Sequence, residues 1–154
     1  MDTMTSLDQL GIQLFRTFAR TEYPLKASGY SKIGRRNEAS ADWDRFAKEV
    51  EQLISNPMSP ALKEAIEFIF NAPPKKQVIV DGVLTWQVGG PPSSSRADEL
   101  LVYVRRVRNN LFHGGKFNGN WFAPQRSEDL LRHSLVILEC CIQHVPSVKE
   151  AYES

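Results

Sequence analysis

"SRADELLVYVRRVRNNLFHGG", residues Ser95 to Gly115, is the stretch that decides how the rest of the chain is read. Ala97, Leu100, Leu101, Val104, Val107 and Leu111 recur at steps of three and four, the stripe that one face of a 3.6-residue helix buries. Ser95 stands where its hydroxyl caps the first turn, with Asp98 at the capping-box position. Gly114 and Gly115 close the run, because a residue without Cβ takes the left-handed conformation that ends a helix. A buried helix that stops at two glycines is therefore predicted, and its neighbours must supply matching apolar faces.

Upstream, Leu7, Leu10, Leu14, Phe15 and Phe18 fall at helical spacing behind the candidate caps Thr5 and Ser6, and Pro24 is expected to end or kink this first helix near Tyr23. "LKASGYSKIGRRNEAS" then reads as a frayed turn followed by a basic loop. Trp43, Phe46, Val50, Leu53 and Ile54 mark a second helix stopped by "SNP", and "SPALKEAIEFIF" a third, with Ser59 as cap and Pro60 at its first position. "QVIVDGVLTWQV" breaks the helical pattern. It holds two β-prone runs around Asp81-Gly82, a hairpin turn signal, as a surface embellishment or as a contact for a partner or second copy. A last helix follows Ser127, with Leu130, Leu131, Leu135, Leu138, Cys141 and Ile142 inward and Pro146 at its end. The expectation is an all-α, up-and-down bundle of about five helices in one domain, 1–154, with a β-hairpin inserted at about 75–92 between helices three and four.

Composition narrows the function classes. With 154 residues, 42% hydrophobic and 24% charged, the chain is long enough to bury a core. Nineteen basic against 18 acidic residues leave a net charge of +1, so any site for a polyanion must be a local one. No apolar run approaches the roughly 20 residues that cross a bilayer, and Met1 to Leu10 lacks signal-peptide features, so a cytoplasmic protein with no membrane partner is expected. The adjacent Cys140 and Cys141 read as reduced core thiols. Three separated histidines suggest no metal site, and no cofactor motif is present.

The polar residues of the fourth helix are its unusual feature. Arg108 sits on the margin of the apolar stripe, while Arg106, Asn109 and His113 project from the opposite face. Arg106 and His113 differ by only about 20° around the axis, but Arg108 and His113 by about 140°. The last two meet only if the final turn unwinds at the glycines or a second copy of the chain completes the site. Imidazole exchanges protons near neutral pH, guanidinium offers a planar fork to a phosphate, and a carboxamide orients either, a set suited to RNA phosphodiester cleavage without a metal. The plainer reading is a solvated helix face with His113 as a polar C-terminal residue. Lys116 adds a phosphate contact, and Phe117, Trp121 and Phe122 either stack on unpaired bases or cover the open end of the core. Arg126 and His133 repeat the Arg106–His113 spacing, but His133 lies among Leu131, Leu135 and Val136 and reads as a packing residue.

"RNNLFHG", Arg108 to Gly114, resembles the signature of the HEPN superfamily, an arginine, a polar residue and a histidine after four to six intervening positions. The resemblance in fold covers most of the chain and the motif seven residues. It implies a helical domain in which Arg108 and His113 are catalytic and Asn109 is their polar neighbour; Arg106 also satisfies the outer limit of the spacing as an alternative arginine, and Arg106 and, from the loop reading, Lys116 read as substrate contacts. It further implies a metal-independent endoribonuclease acting on RNA as a homodimer, in a toxin, abortive-infection or other defence role, with an antitoxin or regulatory protein as partner. A non-catalytic module binding RNA or a protein is the alternative. Members paired with nucleotidyltransferase antitoxins commonly carry a tyrosine two residues after the histidine, where this chain has Gly115.

Overall fold

The computed structural model describes residues 6–91, 93, 95–112, 116–117, 120–121 and 124–154. Six α-helices are present among them: α1 (Ser6–Ala27), α2 (Trp43–Ser55), α3 (Pro60–Asn71), α4 (Arg96–Phe112), α5 (Pro124–His144) and α6 (Pro146–Glu153). Three antiparallel strand pairs lie between helices: β1 (Ser31–Ile33) with β2 (Ala39–Ala41), β3 (Lys76–Val80) with β4 (Val83–Gln87), and β5 (Lys116–Phe117) with β6 (Asn120–Trp121). The protein is thus mostly helical, with a sixth helix and more strand than the five-helix reading allowed.

Local chemistry accounts for most boundaries. Asp42 caps α2 by accepting from the Arg45 amide at 3.1 Å, and Ser59 caps α3 by accepting from the Leu62 amide at 3.3 Å, with Pro60 at the first turn. α1 continues through Pro24 to Ala27 instead of stopping near Tyr23. The proline removes one backbone bond, but Pro24 and Leu25 are buried, and that packing offsets the loss. The segment read as a basic loop instead folds back as β1–β2, turning at Arg36 and Asn37, both with positive φ (53° and 62°). Pro146 both follows the end of α5 and opens α6, since its fixed φ suits a first turn.

One contiguous core joins the helices. α1 supplies Leu14 and Phe18, α2 Phe46 and Val50, α3 Ile66 and Ile69, α4 Leu100 and Val104, α5 Leu138 and Cys141, and α6 Val148. α2 packs on α4, α1 and α3 pack on α5, and α6 closes against α1. Phe18, Trp43, Phe46 and Tyr30 form an aromatic chain, with successive centroids 5.9, 6.1 and 5.8 Å apart, the first pair tilted and the other two edge-on.

The start of α4 is fixed from two directions. The Ser95 hydroxyl accepts from the Asp98 amide at 3.1 Å, and Glu51 of α2 accepts from the Ala97 amide at 3.0 Å. Burial by itself would raise Glu51, but the Ala97 amide and the Ser55 and Ser95 hydroxyls hold its carboxyl below the ordinary 4.5. Because the folded value is the lower one, this stabilisation is present above 4.5 and is lost as pH falls through the folded value. Glu51→Gln is accordingly expected to lower stability at neutral pH and to flatten its decline in that acidic window. Urea titrations at a series of pH values measure both effects.

Candidate functional site

α4 carries the polar cluster between two different neighbours. On one flank Arg108 reaches α1: its Nη1 donates to Glu22 Oε1 at 2.8 Å, and its guanidinium carbon lies 4.6 Å from the centre of the Phe18 ring. Its Nε donates to Asn109 Oδ1 at 3.2 Å, which couples the two adjacent side chains. The Arg108 side chain keeps 24% of its surface exposed, so the pair is partly wet and its contribution to stability is modest. A guanidinium has five N–H donors, and these two contacts, among the described residues, use only two of them.

On the other flank Arg106 faces the β3–β4 hairpin. Its Nη1 donates to the Gly89 carbonyl at 2.8 Å, and its guanidinium lies 5.5 Å from the Tyr103 ring centre. Asn110 pins the other leg of the hairpin, donating from Nδ2 to the Lys75 carbonyl at 2.7 Å. A two-stranded ribbon alone is marginal in water, so these two tethers account for its fixed place. The turn itself follows the sequence: Asp81 and Gly82 both have positive φ (50° and 76°), as a type I′ turn requires. At Gly90 the backbone comes close to α4: a Cβ there would stand 2.8 Å from Glu99 Oε1 and 2.9 Å from the Tyr103 hydroxyl oxygen, so a larger residue requires those side-chain ends to shift.

Between the hairpin and α4 lies a cleft of about 490 Å³ whose lining includes Lys76, Arg105, Arg106 and Asn109. Arg105 is partly withdrawn from water. Burial lowers its guanidinium from the ordinary value and Arg108 lowers it further, while Asp44, Asp98 and Glu22 act in the opposite sense.

Of the five residues that the sequence singles out, the structure brings Arg108 and Asn109 into contact and sets Arg106 and Asn109 on the walls of one cleft. Arg106 is also a structural tether, a role its spacing did not suggest. His113 lies outside the described residues, as does Phe122. Lys116, Phe117 and Trp121 are placed in β5 and β6 by their backbone. Glu22 was missed as a partner of Arg108, for no local pattern links residues 86 positions apart.

The second arginine and histidine pair has other tasks. Arg126 donates to the Pro73 carbonyl at 2.9 Å, and the His133 ring stacks on Phe68 with centroids 4.5 Å apart. Cys141 is buried and Cys140 partly so. Burial, and then neighbouring Glu139 for Cys140 and Cys140 for Cys141, pushes both thiols up, away from the nucleophilic thiolate form. Among the described residues no helix is long and apolar enough to cross a membrane. Comparison with protein-family models, curated proteins and solved structures finds no match to this chain.

Proposed function

We propose that the protein is a metal-independent endoribonuclease of HEPN type, a helical bundle working as a homodimer in a toxin, abortive-infection or other defence setting, in the cytoplasm and under an antitoxin or regulatory partner. The observation that carries this reading is the state of Arg108 at the last turns of α4. Glu22 and Asn109 orient it, its surface is partly open, and it lies five positions before His113.

The chemistry follows from the groups. An imidazole of His113 takes the proton of a ribose 2′-hydroxyl, and the 2′-oxygen attacks the adjacent phosphorus. Arg108 stabilises the added negative charge on the five-coordinate phosphate, and Asn109 keeps the guanidinium in register. The bond to the 5′-oxygen breaks, and that oxygen receives a proton from the imidazolium of a second copy's histidine. The products are a 2′,3′-cyclic phosphate and a free 5′-hydroxyl. Two copies also answer the angle of about 140° between Arg108 and His113 on one helix.

A second reading has an observation in its favour. The Glu22 ion pair and the Phe18 contact suit an arginine retained for packing, as in a non-catalytic module that binds RNA or a protein. Incubation of purified protein with single-stranded RNA in excess EDTA separates the two. The nuclease reading expects cleavage, and its absence leaves the binding module.

A further inference from the structure

The cleft on the hairpin flank of α4 has a composition of its own. Val102, Arg105, Arg106 and Asn109 line it at steps of three, one and three, the residues that share one face of a helix. Lys76 and Val88 face them from the hairpin. Among its described lining residues three are cationic and none is acidic, although the chain as a whole carries only +1. The carboxylates that act on Arg105 (Asp44, Asp98 and Glu22) do not line it.

The cleft is also preformed. Arg106 holds the Gly89 carbonyl at 2.8 Å and Asn110 holds the Lys75 carbonyl at 2.7 Å, so both legs of the hairpin are fixed against the helix. Its volume of about 490 Å³ lies within the ordinary range for ligand sites. No aromatic ring lines it among the described residues, so it offers no stacking platform for bases. What remains is a charged trough with short apolar walls, which suits the alternating phosphates and sugars of a nucleic-acid strand. Asn109 belongs both to this trough and to the Arg108 contact, so it links the trough to that arginine.

We propose that the cleft between the β3–β4 hairpin and α4 binds the phosphate backbone of single-stranded RNA and leads it across Asn109 to Arg108. That the strand is RNA and a substrate rests on the ribonuclease reading. That the cleft holds a phosphodiester backbone does not.

The test uses fluorescence anisotropy with a short labelled 2′-O-methyl oligouridine, which lacks the free 2′-hydroxyl needed for cleavage. Lys76→Glu and Val88→Glu place a carboxylate on the hairpin side of the cleft at two exposed positions, and Lys63→Glu, at an exposed position of α3, is the control. Either cleft variant is expected to weaken binding roughly fivefold to tenfold at low salt, and Lys76→Glu to reduce the salt slope by about 0.7. Lys63→Glu should bind as wild type does. Thermal melting checks the fold, and Val88→Glu decides if Lys76→Glu disturbs the ladder. Unchanged binding in the folded cleft variants, an equal loss in the control, or no binding by wild type overturns the cleft assignment, whether or not RNA is cut. Weakened binding confined to the cleft variants, in a protein that cuts no RNA, upholds the cleft and removes the nuclease reading.

Discussion

His113→Ala is expected to lower the rate of RNA cleavage by about 10²–10⁴, the usual contribution of a positioned acid or base. Arg108→Ala should cost about 10²–10³, as loss of a donor to the developing phosphate charge does. The two losses have different companions. Arg108→Ala also strands Glu22 without its partner and uncovers part of Phe18, so a small fall in melting temperature should accompany the lost activity. Glu22→Ala leaves the guanidinium present and held by Asn109 and Phe18 alone, so activity should fall by roughly tenfold, less than on removal of the arginine itself. Single-turnover cleavage rates, with melting curves of the same preparations, read these effects. If Arg108→Ala loses stability but no activity, the arginine is a packing residue and the binding-module reading takes over.

The largest stability effect is expected in the aromatic cluster that supports α4 from behind. Phe46 is fully buried between Trp43 and Tyr30, on the helix that packs directly against α4. Phe46→Ala leaves a cavity that the surrounding rings cannot fill without leaving their edge-on contacts, and about 3–5 kcal/mol of stability should be lost. Against a total of about 5–15 kcal/mol for an ordinary domain, this is a large share, and the melting temperature should drop on the order of 10 °C. Tyr23→Ala, at a position 69% exposed, should change stability by no more than about 0.5 kcal/mol. Urea unfolding of both variants measures the contrast. A Phe46→Ala protein as stable as Tyr23→Ala contradicts the packing described for α2 and α4.

What the sequence disclosed was local. The hairpin was legible because a type I′ turn demands two positive-φ residues and Asp81-Gly82 supplies them. α4 was legible from its stripe, and α3 from Ser59 and Pro60, for the same reason: the signal lies within a few residues of the feature. The misses were of two kinds. β1 and β2 are only three residues each; β1 is exposed throughout and β2 buries only Ala41, so no alternation marks them. Proline was ambiguous twice: Pro24 stays inside α1 because its surroundings bury it, and Pro146 starts α6 as well as following α5. The candidate site shows the same limit. Arg106, Arg108 and Asn109 could be named from their helix, but Glu22 on Arg108, Glu51 on the start of α4 and the two hairpin tethers join positions far apart in the chain.

The most direct measurement is the identity of the RNA ends formed in excess EDTA. A strand cut through its own 2′-hydroxyl must carry a 2′,3′-cyclic phosphate on one fragment and a 5′-hydroxyl on the other, and a 2′-O-methyl strand of the same sequence must stay whole. The proposed pairing of Arg108 and His113 predicts those ends from the wild-type protein and none from His113→Ala. Cleavage that needs a divalent cation, leaves a 5′-phosphate, or continues in a folded His113→Ala protein would contradict it.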